Sequence, residues 1–285
     1  MSIELEHVSF TYSKGTPYEK EVLHDISLKI EKGEFVAVIG HTGSGKSTLI
    51  QHLNGLLHPT KGKALLDGTD LSGKTKEVRA ARGKVGMVFQ YPEHQLFAET
   101  VYEDVAFGPR NLGLTEDEVE QRVREALQFV GLDYGSLAQR SPFNLSGGQM
   151  RRVAIAGVIS MNPDYLILDE PSAGLDPGAR RDVFREIRSL YKKQGIGIIM
   201  VTHSMEDALQ FANRLVVVYD GRIIMDGNPA ALFRERRKEL QDVGLDIPEI
   251  YKLKDALRVK GLAIPETVTD TASLLKEIRK RKGLK

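Results

Sequence analysis

The stretch Gly40–Ser47 reads GHTGSGKS and matches the phosphate-loop pattern G-x-x-x-x-G-K-S/T. The apolar run Phe35–Ile39 enters this stretch, and a helical pattern from Thr48 to Leu57 leaves it. Glycines in such a loop let successive backbone amides approach phosphate oxygens, and the N-terminus of the following helix adds a positive dipole end. The order of strand, glycine loop and helix therefore predicts a nucleotide-binding site.

Two side chains of this loop suit the charges of a nucleotide. Lys46 is placed to reach the β- and γ-phosphates, and the Ser47 hydroxyl is placed to bind Mg²⁺. The sequence thus predicts a nucleotide bound together with Mg²⁺. The loop residues predicted to bind it are Gly40, His41, Thr42, Gly43, Ser44, Gly45, Lys46, Ser47 and Thr48.

Length and composition are those of an ordinary globular protein. The 285 residues, 41% of them hydrophobic and 28% charged, suffice for one large domain or two modest ones. The absence of cysteine excludes disulfides and thiolate metal sites.

We expect no signal peptide and no spanning helix, since no apolar run approaches the ~18 residues required. With a net charge of +1 and a mildly acidic body, the chain is not expected to bind nucleic acid.

The order of apolar segments predicts an α/β fold. Residues 2–30 indicate antiparallel strands, because apolar and polar side chains alternate there. Apolar strands at Tyr165–Leu168 and Ile196–Val201 each follow a helical segment, which predicts a parallel sheet around the phosphate loop. The run Leu215–Tyr219 begins a hairpin with a two-residue turn. The chain is therefore predicted to be a P-loop nucleoside triphosphatase with a parallel core sheet and an antiparallel β subdomain.

Two helical regions are predicted in addition to this body. Residues from about 91 to 163 interrupt the alternation of strands and helices, which indicates an inserted helical subdomain. Thr100 and Thr115 each begin a capping-box pattern there, with a glutamate three residues later. After a composition shift near Gly227, the chain is predicted to divide into a nucleotide-binding domain, residues 1–229, and a small helical extension, residues 230–285.

Two acidic residues follow the apolar strand YLIL. A carboxylate at the carboxyl end of a parallel strand points into the crevice where such sheets bind ligands. Asp169 is therefore predicted to hold Mg²⁺, and Glu170 to accept a proton from the water that attacks the γ-phosphate.

The segment LSGGQ, which begins at Leu145, provides a second helix N-terminus suited to an anion. Its serine and glutamine form a capping box, and its two glycines expose backbone amides. Because one nucleotide does not need two helix N-termini of the same chain, this segment predicts a second chain. The residues predicted to bind nucleotide here are Ser146, Gly147, Gly148 and Gln149.

Together, the phosphate loop, LSGGQ and LILDE resemble the Walker A, signature and Walker B motifs of the ATP-binding-cassette ATPases. The resemblance extends from residue 2 to about residue 230. It implies that the nucleotide is ATP, that the protein hydrolyses it with Mg²⁺, and that ATP lies between the Walker motifs of one subunit and the signature of another.

The resemblance also implies roles for four further residues. Gln90 would contact Mg²⁺ or the attacking water, and His203 would contact the γ-phosphate. Asp176 would lie at the dimer seam near the nucleotide. Tyr12 would stack on adenine, although other aromatic residues lie nearby. The predicted catalytic residues are thus Glu170, His203 and Gln90, and the predicted metal ligands are Ser47, Gln90 and Asp169.

A finer resemblance lies in the segments FQYPEHQLF, from Phe89, and AFGP, from Ala106, and in the C-terminal extension. They are similar to the ATPases of energy-coupling factor transporters, most of all to the second, or A-prime, ATPase. This implies an ATPase that drives import of vitamins or other micronutrients from the cytoplasmic face of the cell membrane. The implied partners are a second cassette ATPase, a transmembrane coupling protein and a substrate-binding membrane protein.

Other interpretations remain open. The chain is also compatible with the ATPase of a conventional importer or exporter, or with a soluble cassette protein acting on ribosomes or DNA. The apolar residues after Gln90, among them Leu96 and Phe97, form either a contact surface for a membrane partner or part of the core. The basic tail Lys276–Lys282 is either a solvated helix end or a contact to anionic lipid or an acidic partner. The substrate and the choice between homodimer and heterodimer are not specified.

Overall fold

Two β-sheets surrounded by helices make up the chain in a computed structural model, which describes residues 1–265 and 267–282. The strands are β1 (Ser2–Tyr12), β2 (Lys20–Glu31), β3 (Phe35–Ile39), β4 (Lys61–Leu66), β5 (Thr69–Asp70), β6 (Val85–Val88), β7 (Tyr165–Asp169), β8 (Gly197–Val201), β9 (Arg214–Tyr219) and β10 (Arg222–Gly227). The helices are α1 (Lys46–Leu53), α2 (Lys76–Gly83), α3 (Val101–Asn111), α4 (Glu116–Phe129), α5 (Tyr134–Leu137), α6 (Gly147–Ile159), α7 (Pro177–Gln194), α8 (Met205–Phe211), α9 (Pro229–Glu235), α10 (Arg237–Asp242), α11 (Glu249–Val259) and α12 (Thr271–Lys282).

The core sheet has the strand order β10-β9-β3-β8-β7-β6. Strands β9, β3, β8, β7 and β6 are parallel, and β10 pairs antiparallel with β9 through the turn Asp220–Gly221. Strands β3 and β8 are buried along their whole length, as expected for apolar runs covered on both faces. The predicted α/β fold class is confirmed, and the strand that carries the phosphate loop lies inside the sheet.

The predicted antiparallel subdomain is a second sheet with the order β2-β1-β4-β5. Its apolar face packs against α1 and one face of the core sheet. Residues of that shared core include Ile3, Leu28, Val38, Leu49 and Val201. The helix that follows the phosphate loop is therefore held between the two sheets.

Helices α3 to α6 form the helical insertion between β6 and β7. Thr115 and Glu118 make the reciprocal capping box predicted for α4. The box predicted at Thr100 is only half present. Thr100 accepts the amide of Glu103, but the Glu103 carboxylate pairs with Arg110 instead of returning to the helix start.

The C-terminal residues after β10 fold as helices α9 to α12. Phe233, Leu240, Tyr251 and Leu274 are buried in the same apolar core as the other face of the core sheet. The division at residue 229 stays a prediction. Within residues 1–265 and 267–282, no helix combines the length and apolar character needed to cross a bilayer.

Glu186 is a half-buried acid on α7, where α7 faces the helical insertion. Phe129 and Ile159 line the same small cavity, and the Glu186 Oε2 atom is buried without a hydrogen-bond partner among the described residues. Burial raises the pKa of Glu186 to about 7, and the charges of Arg152 and Arg185 oppose this rise. The carboxyl group therefore favours its protonated form in the folded chain.

We expect replacement of Glu186 by Gln to remove a pH dependence of stability. Between the ordinary pKa of 4.5 and the folded value of about 7, the folded chain keeps a proton that the unfolded chain releases. Raising the pH through this window therefore lowers the free energy of unfolding, by about 1–3 kcal/mol. Urea unfolding should show Glu186→Gln more stable than the wild type above this window and equally stable below it.

The exposed Glu125 on neighbouring α4 supplies the matched control. Glu125→Gln should keep the pH dependence of the wild type. Equal pH dependence of the wild type and Glu186→Gln would contradict the assignment.

Candidate functional site

The phosphate loop leaves the carboxyl end of β3 and turns directly into α1. Gly43 and Gly45 have φ angles of 82° and 105°, a region that residues with a Cβ rarely adopt. At Gly40 a Cβ would lie 2.2 Å from the carbonyl oxygen of Val218 on β9, so only glycine fits. The backbone of this loop is thus shaped for close approach of a ligand.

Lys46 is buried at the base of the loop, with 6% of its surface exposed. Its Nζ atom donates to the carbonyl oxygens of Gly40 at 2.8 Å and His41 at 2.9 Å. Burial lowers the pKa of Lys46, and the charges of Glu170 and Asp169 oppose this shift. The ammonium group lies among carbonyls and acids without a direct ion pair in the described chain, so a phosphate would add the strong partner that it lacks.

An open cleft of about 220 Å³ borders the loop. Besides loop residues it is lined by Lys20 and Val22 of β2, which no sequence motif had indicated. Their placement follows from strand pairing, because Lys20 lies opposite Tyr12 in the register of β1 and β2. The register of the two strands was the one signal that would have indicated these two residues from the sequence.

Tyr12 lies beside the loop at the end of β1. Its hydroxyl is 3.2 Å from the Thr48 hydroxyl, and its ring meets the Phe10 ring edge-on with centroids 4.7 Å apart. Tyr12 has 39% of its surface exposed, whereas Tyr18 is 84% exposed on the following loop. This position suits a stacking partner for a base, and that role of Tyr12 stays a prediction.

Asp169 and Glu170 lie at the end of β7, on the edge of the sheet where the phosphate loop begins. Burial raises the pKa of Asp169, the Glu170 charge adds to this rise, and Lys46 and His203 oppose it. Glu170 has a φ angle of 49°, a left-handed conformation that costs a non-glycine residue about 1–2 kcal/mol. Its backbone amide donates to Val201 of β8 at 3.0 Å, which ties this turn to the neighbouring strand.

The three predicted catalytic side chains lie together. The Nε2 atom of His203 is 2.7 Å from Glu170 Oε1, and the amide nitrogen of Gln90 donates to Glu170 Oε2 at 3.3 Å. Both oxygens of the carboxylate are therefore oriented by neighbours from two other strand ends. Such an arrangement suits a carboxylate that accepts a proton from a positioned water.

An ion pair between Asp207 and Arg180 lies at the start of α8, the helix that follows His203. Asp207 is 2% exposed and pairs with Arg180, which also donates to the Ser204 hydroxyl at 3.2 Å. Ser204 caps α8 directly after His203. Sequence analysis missed this ion pair, because 27 residues separate its members.

The signature segment begins α6, away from the core sheet. Ser146 and Gln149 make the predicted capping box, and a Cβ at Gly147 or Gly148 would meet nothing within 4 Å. No hydrogen bond between described residues joins this segment to the phosphate loop. The helix start is open, and its nucleotide contact in a complex with a second chain stays a prediction.

The Asp176 side chain caps its own helix α7. It accepts the amides of Gly178 at 2.7 Å and Ala179 at 3.0 Å, and these two bonds lower the pKa of Asp176. Its predicted place near nucleotide at a dimer seam stays a prediction.

The segment after Gln90 divides between core and surface. Leu96 is 7% exposed and belongs to the apolar core, but it also lines the groove described next, so its contact with a partner stays a prediction. Phe97 is 61% exposed, and its ring meets the exposed ring of Phe107 with centroids 5.0 Å apart. These rings border a groove of about 460 Å³ between the helical insertion and α2. Its lining also includes Arg79, Arg82, Asp104, Leu112 and Met161.

The residues present fit a Mg²⁺-bound nucleotide better than a metal held by protein alone. Within the described ranges, no group of three or more histidines and acids is close enough to hold a metal ion. Mg²⁺ usually takes one or two protein oxygens and completes its shell with water and phosphate. The exposed Ser47 of the phosphate loop and Asp169, whose charge interacts with that of Lys46, match that pattern.

Comparisons with known proteins agree over nearly the whole chain. The sequence profile of the ABC transporter family matches residues 23–173. A Clostridium perfringens protein named energy-coupling factor transporter ATP-binding protein EcfA2 is 51% identical, covering 98% of this chain and 98% of its own length. A Symbiobacterium thermophilum protein of the same name is 52% identical, covering 98% of this chain and 96% of its own.

Solved structures give the same fold. The structure of cbiO1 from Clostridium perfringens, described as part of the ABC transporter complex cbiONQ, is 39% identical with a TM-score of 0.72. It covers 89% of this chain and 98% of its own. An ATP-binding cassette described as a dimer in a post-hydrolysis state, bound to ADP and Pi, is 29% identical with a TM-score of 0.70, covering 80% of this chain and 98% of its own.

Proposed function

The chain belongs to the ABC transporter family and, within it, to the ATP-binding proteins of energy-coupling factor transporters, and we propose that Glu170 is the general base of its ATP hydrolysis. The observation that carries this proposal is the contact of both Glu170 carboxylate oxygens, one with His203 and one with Gln90, beside the phosphate loop. The chain is an ATPase subunit that couples hydrolysis to import.

The phosphate loop would bind the triphosphate. Its backbone amides and the Lys46 ammonium offer positive charge to the β- and γ-phosphates, and Lys46 would exchange its loop carbonyls for phosphate oxygens. Ser47 and Asp169 would hold Mg²⁺, which neutralises phosphate charge when bound. Tyr12 would support the adenine ring, since its side chain lies exposed beside Thr48 of the loop.

Glu170 would then remove a proton from the attacking water. His203 and Gln90 hold its carboxylate in one orientation, so little rearrangement is needed when charge develops. His203 is 47% exposed on its side chain and thereby accessible to a γ-phosphate. Gln90 is a neighbour of the base, and the segment that follows it leads to Gln95 and Phe97 of the groove, which would link the nucleotide to that groove.

Glu170→Gln should keep the affinity for ATP and lower kcat by about 100-fold or more. The amide replaces the carboxylate at similar size, so binding by the loop is unchanged while the base is lost. Nucleotide titration and steady-state ATP hydrolysis measure the two effects separately. Lys46→Ala is the contrasting variant, since it should weaken ATP binding itself. Hydrolysis near the wild-type rate by Glu170→Gln would contradict the role.

The signature segment would complete the ATP site of an opposing cassette. Its helix start is open and lies on the helical insertion rather than on the core sheet. One of the solved relatives is described as a dimer bound to ADP and Pi. The opposing cassette is proposed to be a related but different chain, in keeping with the resemblance to the A-prime ATPase.

Ser146→Arg should therefore damage the ATP site of the opposing subunit and spare the site on its own Lys46. The bulky cation would occupy the position proposed for the partner's phosphates. The test uses a complex of two different cassettes. Ser146→Arg is combined first with the phosphate-loop lysine variant of this chain and then with that of the opposing chain. ATP turnover of each complex then reports on the one ATP site whose lysine is intact. Loss of turnover at the site built on the chain's own Lys46 would contradict the arrangement in trans.

The groove beside Phe97 is proposed to receive a membrane-embedded partner. In the described part of the chain no helix can span a bilayer. The ATPase is proposed to reach the membrane through protein contacts at this groove. The partners are proposed to be a transmembrane coupling protein and a substrate-binding membrane protein, with the chain at the cytoplasmic face of the cell membrane. The imported substrates are proposed to be vitamins or other micronutrients, and they would not touch this chain.

Phe97→Glu should uncouple transport from hydrolysis. A charge in place of an exposed ring removes apolar contact area for a partner while leaving the core intact, because Phe97 is 61% exposed. Uptake into vesicles by the complex should fall by tenfold or more (about 1.4 kcal/mol), whereas ATP hydrolysis by the isolated cassettes stays near wild type. Phe143→Glu, an equally exposed ring at 60%, is the matched control. Unchanged uptake with Phe97→Glu would exclude this groove as the contact.

A further inference from the structure

Arg151 is a buried cation on α6, the helix that begins with the signature segment. Only 5% of its surface is exposed. Burial lowers the pKa of its guanidinium, and the charge of Glu93 opposes this shift. An arginine in a protein nevertheless stays protonated, and a buried charge is costly unless it is held by specific partners. Its contacts therefore indicate what it does.

The Arg151 guanidinium holds the turn that follows Glu170. It donates through Nη2 to the carbonyl oxygen of Pro171 and through Nη1 to that of Ala173 at 3.2 Å. The amide of Ala173 in turn donates to the Glu170 carbonyl at 3.0 Å, which closes the turn. One planar guanidinium thus holds a carbonyl within this turn, that of Pro171, and the carbonyl at its end, that of Ala173.

The charge of Arg151 also faces the segment that follows Gln90. The 3-10 turn Pro92–Gln95 packs against α6, and Glu93 within it supplies the opposite charge. The Glu93 Oε2 and Arg151 Nε atoms are both buried without a hydrogen-bond partner in the described chain, so their attraction is electrostatic. From its place on the signature helix, Arg151 therefore makes hydrogen bonds to the turn after Glu170 and an electrostatic contact with the turn after Gln90.

We propose that Arg151 is a positioning residue that holds Glu170 in its reactive orientation. Glu170 has a φ angle of 49°, so its turn needs external contacts to persist. Arg151 supplies two of them, and Glu93 keeps the guanidinium in place. The proposal deepens the role of Glu170 as general base and rests on it. It assigns Arg151 no contact with nucleotide.

The first test compares Arg151→Lys with Arg124→Lys in the complex of both cassettes. A lysine keeps the charge but lacks the planar guanidinium that donates hydrogen bonds to two carbonyl oxygens. We expect kcat to fall by about 10- to 100-fold, since displacement of a reacting group by ~1 Å has effects of this size. KM for ATP and ATP affinity should stay within about twofold, because the phosphate loop is untouched. Arg124→Lys, an exposed change on α4 of the same insertion, should leave kcat unchanged.

A role confined to stabilising the fold gives a different result. The melting temperature would fall, while kcat per folded molecule stays at the wild-type value, and this outcome overturns the proposal. A rise in KM without a fall in kcat also overturns it. Should Arg151→Lys fail to fold, Glu93→Gln replaces it. That variant should lower kcat by at least threefold (about 0.6 kcal/mol) at constant KM, and an unchanged kcat overturns the proposal.

The second test combines Arg151→Lys with Glu170→Gln. If Arg151 acts through Glu170, the residual single-turnover rate of Glu170→Gln is not lowered further by the second change. If Arg151→Lys lowers the rate of Glu170→Gln by the same factor as it lowers the rate of the wild type, Arg151 does not act through Glu170, and the proposal is overturned. The test is separate from that of the base itself, because fast hydrolysis by Glu170→Gln alone refutes the role of Glu170 whatever Arg151 does.

Discussion

The alignment of parallel strands at one edge of the core sheet is the constraint on which the site depends. Val38, Val201 and Asp169 lie in one row of the register of β3, β8 and β7. The residues just beyond this row therefore arrive at the same edge although they are far apart in the chain. A slip of one residue in any strand would turn its side chains to the opposite face of the sheet and separate the residues of the site. Burial of these strands on both faces prevents such a slip.

The charges at this edge offset one another only in part. Burial raises the pKa of Asp169 and lowers that of Lys46, and each residue's charge opposes the shift of the other. Lys46 meanwhile contacts loop carbonyls rather than a carboxylate. A nucleotide with Mg²⁺ would add an anion beside Lys46 and a cation beside Asp169, so both groups would gain partners. The burial of these two opposite charges therefore favours the proposed ligand.

The helical insertion is proposed to give the molecule its second functional surface. Its helix α6 presents an open, capped N-terminus at one end and packs with Arg151 against the turn after Glu170. The groove beside Phe97 lies on the same insertion. Nucleotide, opposing cassette and membrane partner are thus proposed to act on one small set of helices, which gives ATP hydrolysis a physical route to the rest of a transporter.

The sequence by itself determined the phosphate loop, the acidic pair after β7, the capped start of α6 and the order of strands and helices. These features depend on local chemistry, because glycines, capping residues and apolar periodicity act within a few residues of one another. Only the tertiary structure decided that Leu96 is core while Phe97 is exposed, and that Glu103 pairs with Arg110 instead of closing a capping box. It alone also brought Arg151 to the turn after Glu170, and Arg180 to Asp207. Those contacts depend on how separate elements pack, and no spacing in the chain records which face of a helix a neighbour will cover.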